Sequence, residues 1–224
     1  MKIVQRFRQC SAAFLLVLLP LTTAFAGNRV LVYGIREVPF GTDATKYGRA
    51  GYGVGGQIIV PVPALRNLFA AVGGVDYVSL LSSTTTVTDP QTLLRVDQET
   101  SQGILRIYVG GQIGAHGDGL LRPHAGLSIG LTSYTYTIDV VVPDDYRREQ
   151  EIRQSLKDES RWVFGYDLSL GLDVNFRAVS VDGGVRYVKS FSVPAQLGAG
   201  SERIYPNYFQ IYIGVGIPLD TFSD

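Results

Sequence analysis

The stretch WVFGYDLSLGLDVNF, residues 162 to 176, decides the fold. Every second residue from Trp162 is large and apolar: Phe164, Tyr166, Leu168, Leu170, Leu172, Val174 and Phe176. The intervening set is Val163, Gly165, Asp167, Ser169, Gly171, Asp173 and Asn175. A period of two sends successive side chains to opposite faces of a strand, so the segment is a strand with one apolar and one largely polar face. Alternation alone leaves open whether the apolar face is buried in a protein core or turned toward lipid.

Outward from this stretch the pattern repeats. Ile104 to Ala115 sends Leu105, Ile107, Val109 and Ile113 one way and Arg106, Tyr108 and Gln112 the other. Phe209, Ile211, Ile213, Val215, Ile217 and Leu219 alternate with Gln210, Tyr212, Gly214 and Gly216. Weaker versions lie at 51–62, 68–81, 121–137 and 179–191, and 28–40 is a less regular eighth. Short connections are expected near Pro63 to Asn67, His116 to Leu120, and Arg177 to Ala178. Long, polar ones are expected near Gly41 to Ala50, Ser82 to Gln102, Pro143 to Arg161, and Ser192 to Pro206. An up-and-down antiparallel barrel produces this alternation when one rim carries tight turns and the other free loops. The run DDYRREQEIRQSLKDES at 144–160 reads as a solvated loop with room for a helical turn.

Three features choose a side for the apolar face. A soluble β-protein covers its wet face and edges with Lys and Glu, whereas this chain has only Lys2, Lys46, Lys157 and Lys189. Its polar face carries Gly, Ser, Gln, Asp and Arg, which suits a narrow closed lumen. Aromatic residues gather at the strand ends joined by long loops, namely Tyr77, Tyr134, Tyr136, Trp162, Phe164, Tyr187, Phe191, Tyr208 and Phe209. Such rings form girdles at headgroup level. The twelve steps from Phe164 to Phe176 rise roughly 30 Å at about 40° of tilt, the depth of a bilayer's hydrocarbon core. Backbone groups in lipid must all be paired, so the sheet must close, and eight strands satisfy the expected even number. The competing reading is a soluble lipocalin-like barrel or sandwich with its apolar face inward.

The ends and composition fit the membrane reading. MKIVQRFRQCSAAFLLVLLPLTTAFA has a basic start, an apolar stretch and a closing Ala24-Phe25-Ala26, so residues 1–26 are expected to be a signal peptide and 27–224 one barrel domain. Cys10 lies ahead of the apolar stretch, where a lipid-modified cysteine would not be. Three basic residues fall in the leader, which leaves 17 basic against 20 acidic residues and a net charge of −3 with His neutral. Neither excess nor basic stripe favours nucleic acid, and without a Cys after residue 26 there is no disulfide or thiolate metal site.

The motif tests mostly fail. GYGVGG at 51–56 meets a dinucleotide-site spacing through Gly51, Gly53 and Gly56, but QIIVPVP follows and no helix amino-terminus is available for a pyrophosphate. Two histidines, His116 and His124, make a poor metal set. His124 and Ser128 share a strand face but stand about 13 Å apart along it, too far for a Ser–His pair. The inward charges are more informative. Asp76, Arg106, Asp167 and Arg186 fall toward the loop end, and Arg122, Asp173, Arg177 and Asp182 toward the turn end. Two acids and two arginines in each half suit a buried, paired network. An eight-stranded interior is just wide enough for side chains, so a lumen filled this way is a plug.

The leader, GYGVGGQIIVPVP running through a short turn into LFAAVGGVDYVSL, and the final NYFQIYIGVGIPL resemble the small eight-stranded outer-membrane barrels of Gram-negative bacteria, such as the OmpA transmembrane domain, OmpX and OmpW. The resemblance covers nearly all of residues 27–224. It implies periplasmic termini and short turns, surface loops, and contact with outer-membrane lipid, lipopolysaccharide and the insertion machinery. The expected function is a monomeric, non-enzymatic, cofactor-free anchor displaying loops for envelope integrity, adhesion or ligand contact. The alternatives are a narrow passage for small or apolar solutes and a lipid A-modifying enzyme.

Overall fold

The computed structural model describes residues 28–42, 45, 49–62, 68–88, 95–114, 119–142, 152–176, 178–191, 193–195, 202–204 and 206–219. Residues 1–27, and with them the expected signal peptide, lie outside the described residues, as do His116 and Arg177.

The described residues form ten strands: β1 (Arg29–Pro39), β2 (Gly51–Pro61), β3 (Phe69–Thr88), β4 (Arg95–Gly114), β5 (Leu121–Val142), β6 (Ile152–Asn175), β7 (Ser180–Ser190), β8 (Val193–Ala195), β9 (Glu202–Ile204) and β10 (Asn207–Pro218). Eight of them close in the order β1-β10-β7-β6-β5-β4-β3-β2, and β8 and β9 make a separate two-stranded sheet. Every barrel pairing is antiparallel, and each joins strands consecutive in the chain except β7 with β10, between which β8 and β9 intervene, and the seam where β1 meets β10, in register from Arg29 opposite Pro218 to Pro39 opposite Tyr208. This is the all-β, eight-stranded, up-and-down barrel that the alternation predicts. β1 begins and β10 ends at the rim where β2 passes toward β3, with Arg29 opposite Pro218 and Ile59.

The apolar face points outward. Leu168, Leu170, Leu172, Ile211, Ile213, Val215, Ile129, Leu127 and Val109 are exposed, Ile213 at 67%. The buried side chains of the same strands are Asp167, Asp173, Gln210, Tyr212, Ser128, His124, Arg106 and Tyr108. A folded chain that exposes its Leu and Ile and buries its Asp and Arg has reversed the arrangement water imposes, which is stable where the outer solvent is hydrocarbon.

Two expectations about the loop rim are corrected. The described parts of the segments 82–102 and 143–161 are strand. β3 and β4 remain paired to Thr88 opposite Arg95, and β5 and β6 to Val142 opposite Ile152, while residues 89–94 and 143–151, and with them most of the run expected to have room for a helical turn, lie outside the described residues. β2 leaves β3 at Leu80, and β7 leaves β6 at Gly165. Four strands, β3 to β6, therefore continue as an open sheet beyond the closed wall. The eight steps from Leu80 to Thr88 give it a reach of roughly 20 Å at the tilt of a small barrel. With both faces outside the membrane the extension has no reason to alternate apolar with polar, and a period-two reading stops where lipid stops.

The second correction concerns the girdle. Tyr77, Trp162, Phe164, Phe191 and Phe209 are exposed on the outer surface. Tyr187 joins Phe40 and Phe209 in an outward ring cluster, with centroids 4.8 Å apart for Phe40–Phe209, 5.4 Å for Tyr187–Phe209 and 6.1 Å for Phe40–Tyr187. Tyr134 and Tyr208, however, lie in the lumen, stacked at 6.5 Å. The reason is parity. Tyr208 is one step from outward Phe209, and Tyr134 shares the even positions of inward Arg122, His124, Ser128 and Thr132. Tyr136 has that parity too and is half-buried.

Candidate functional site: the charged lumen

Lumen side chains stack in tiers from the loop end to the turn end. At the loop end Gln210 donates from Nε2 to Glu37 Oε2 at 2.7 Å. Ile35, Val78, Leu80, Ile104, Tyr208 and the half-buried Tyr134 pack in one apolar cluster, and Tyr134 is 2.7 Å from the Ser190 hydroxyl. The mouth thus holds an apolar cluster beside one acid, its amide partner and the Ser190 hydroxyl.

The tier below brings four of the sequence-predicted charges together. Arg186 Nη1 donates to Asp76 Oδ2 at 2.8 Å, and Arg186 Nε lies 3.6 Å from Asp167 Oδ1. Arg106 Nη1 lies 3.5 Å from the same Asp76 oxygen, and its Nη2 pairs with Asp167. The result is a closed ring of alternating charge, Asp76–Arg106–Asp167–Arg186, contributed by β3, β4, β6 and β7, with all four residues at most 4% exposed. Antiparallel register puts them at one level: Asp76 is opposite Arg106 on β3 and β4. Tyrosines close the tier. Tyr33 donates to Asp76 Oδ1 at 2.5 Å, and Tyr108 donates to Gln57 Oε1 at 2.8 Å. The Arg186 guanidinium sits over the Tyr108, Tyr212 and Tyr33 rings at 4.9, 5.4 and 5.7 Å, and Arg106 over Tyr108 at 4.6 Å. Charges removed from water are tolerated when they are paired and hydrogen-bonded in this way.

Large rings fit because the facing wall is glycine. A Cβ on Gly74 would stand 2.5 Å from the Tyr108 hydroxyl, and one on Gly55 would stand 2.5 Å from Asp76 Oδ1 and from Cζ of Tyr33. Gly55 of GYGVGG thus makes room in the lumen, and the chain continues as strand to Pro61. Beneath the ring, Gln57, Gln112, His124, Ser128 and Tyr212 line a cavity of about 10 Å³, space for about one water molecule.

At the turn end, Arg122 Nη2 is 2.6 Å from Asp173 Oδ2, and Arg29 pairs with the same carboxylate. His124 Nε2 lies 3.7 Å from Asp182 Oδ1 and 3.2 Å from the Tyr212 hydroxyl. The predicted Arg122, Asp173 and Asp182 therefore occupy one tier, while Arg177 is outside the described residues. Among the described residues no cluster of three or more His, Cys, Asp or Glu could hold a metal ion. His124 and Ser128 both border the small cavity, and the partners of His124 are Tyr212, Asp182 and the Arg122 carbonyl. Arg29, Glu37, Tyr33 and Gln57 are buried in the same lumen and stand outside the sequence-predicted set. Their signal is the inward parity of β1 and β2, obscured in β1 because Leu31, Tyr33 and Ile35 face inward while Val30, Val32 and Val38 face outward.

A closed eight-stranded barrel with charge inside and an apolar band outside is a transmembrane β-barrel of the outer-membrane type. Among solved structures the chain is similar to Neisserial surface protein A, with a TM-score of 0.52 at 12% identity over 86% of this chain and 97% of that one. It is also similar to Ail, the attachment invasion locus protein of Yersinia pestis, solved with the heparin analogue sucrose octasulfate (TM-score 0.43, 12% identity, 86% and 100% covered). A third is a major outer membrane protein from Thermus thermophilus (TM-score 0.40, 10% identity, 85% and 98% covered). The first of these likenesses supports the fold. No protein-family model and no curated protein sequence matches the chain.

Proposed function

We propose that the chain is a non-enzymatic anchor in the outer membrane of a Gram-negative bacterium, its plugged barrel holding a projecting four-stranded sheet and the adjoining loops outside the cell. The observation that carries this reading is the lumen. A ring of two acids and two arginines crosses it, the mouth above holds an apolar cluster, and a cavity of about 10 Å³ below has room for about one water. A solute passage needs a continuous water path or an apolar bore, and neither fits this filling. Acyl chemistry needs a nucleophile beside a base, whereas His124 is engaged by Tyr212 and Asp182. In this reading the barrel wall has outer-membrane lipid, lipopolysaccharide and the insertion machinery as its partners, and the projecting sheet meets whatever lies outside the cell.

Planar-bilayer recordings test the plug. The parent is expected to conduct almost nothing. Arg106→Ala leaves Asp76 and Asp167 short of a partner, so it is expected to raise ion leak and to lower stability by about 3 to 5 kcal/mol, less where water enters. Steady, well-defined conductance from the parent would replace the anchor with a channel.

A further inference from the structure

Within the closed wall the outward positions are apolar, small or aromatic almost everywhere. The exceptions in charge are Arg36 on β1 and Lys189 on β7, and no Asp or Glu stands among the described outward positions there. Both cations are at the loop end. Arg36 is in register with Tyr52 and Ile211, and Lys189 with Tyr166 and Asn207. Among the described residues the outward side chains of the opposite rim are uncharged, and they include Phe69, Ile113, Leu121, Phe176 and Ile217.

A guanidinium on a lipid-facing surface is costly at mid-depth and nearly neutral at the interface, so Arg36 marks headgroup level. It is exposed, and it is positioned: Nη1 donates to the Tyr52 hydroxyl at 2.5 Å, and the guanidinium lies 5.2 Å from the centre of that ring. Between the two cations stands the Phe40, Tyr187 and Phe209 ring cluster. Two cations without an acid, flanking an aromatic patch that continues into the apolar band, are complementary to a lipid with anionic oxygens above its acyl chains. The planar fork of Arg suits phosphate in particular.

We propose that Arg36 and Lys189 hold the phosphate-bearing headgroup of a lipid of the loop-side leaflet, with Tyr187 and Phe209 lying against the start of its acyl chains. The proposal rests on the membrane placement of the barrel and not on its being plugged.

The test uses the full barrel refolded into phosphatidylcholine nanodiscs containing either diphosphoryl lipid A or the same lipid with its phosphates removed. Native mass spectrometry of the released barrel then counts retained lipid. The parent is expected to retain the phosphorylated lipid and lose the dephosphorylated one. The Arg36→Gln, Lys189→Gln double variant is expected to retain roughly thirtyfold less of the phosphorylated lipid, the factor matching about 1 kcal/mol for each cation. Equal retention of the two lipids by the parent overturns the proposal without any variant, and so does undiminished retention by the folded double variant. A parent that fails to fold in phosphatidylcholine at all would overturn the membrane placement, and this site with it.

Discussion

At the scale of single residues, the barrel depends on two opposite demands, and a substitution on either face tests one of them. Leu170 projects outward near the middle of the β6 ladder that runs from Phe164 to Phe176, and it is 62% exposed. Leu170→Arg places a guanidinium near the bilayer midplane and is expected to cost about 2 to 4 kcal/mol in vesicle refolding titrations. A variant as stable as the parent would mean that this face does not meet lipid. Gly55 tests the inside. It faces Tyr33 and Asp76 so closely that Gly55→Val forces the Tyr33 ring off the Asp76 carboxylate, and overpacking of this kind costs about 1 to 3 kcal/mol. The same titration reads it, and unchanged stability would show that the lumen has slack. Both residues are visible in the sequence, but with different clarity. Leu170 sits in an unbroken alternation, whereas Gly55 gains its meaning only once β1 is placed beside β2 and Tyr33 comes to face it.

At the scale of elements, what is legible follows from what each strand's two faces meet. Where one face meets lipid and the other a charged lumen, as in β6 below Trp162 or β10, alternation fixes the strand, its orientation and the level of Asp167 relative to Arg186. The ring Asp76–Arg106–Asp167–Arg186 can be anticipated because antiparallel register and parity together leave those side chains one place to go. Where both faces meet water, the pattern disappears, so the continuation of β3 to β6 reads as loop. Tyr134 and Tyr208 show a different failure: position along the strand suggests a girdle, but parity decides direction, and both are even-numbered neighbours of odd-numbered outward residues. The projecting sheet borrows its order from the barrel beneath it and gives little back, since β2 and β7 do not reach it. Replacing residues 83–100 by Asn-Gly, a two-residue hairpin turn, is therefore expected to leave the wall intact. Refolding yield and gel mobility of the folded band are the measurements, and failure to refold would make the extension part of the folding unit.

At the scale of the whole molecule, the arrangement of polarity leaves one solvent in which the chain can fold. Exposed Leu127, Ile129, Leu168, Leu170, Ile211 and Ile213 join in a band around the wall, far larger than the few hundred Å² of contiguous apolar surface that monomeric soluble proteins carry. Turning the strands over would bury that band, but it would put Asp76, Arg106, Asp167 and Arg186 on the outside and separate the pairs that now neutralise one another. Closure adds a second constraint, because β1 must find β10 across nearly the full length of the chain, from Arg29 to Pro218, before the last backbone groups are paired. In water nothing holds the strands together while that contact forms. In lipid each unpaired group costs several kcal/mol, and closure is strongly favoured. The chain without residues 1–26 is accordingly expected to stay unfolded or aggregated in plain buffer and to fold on addition of detergent or phosphatidylcholine vesicles. The folded form should then migrate differently from the boiled form on a gel, and circular dichroism should report strand only after lipid is added. A monodisperse, folded monomer in buffer without detergent would mean that the band is covered by protein, and that the barrel is a soluble one.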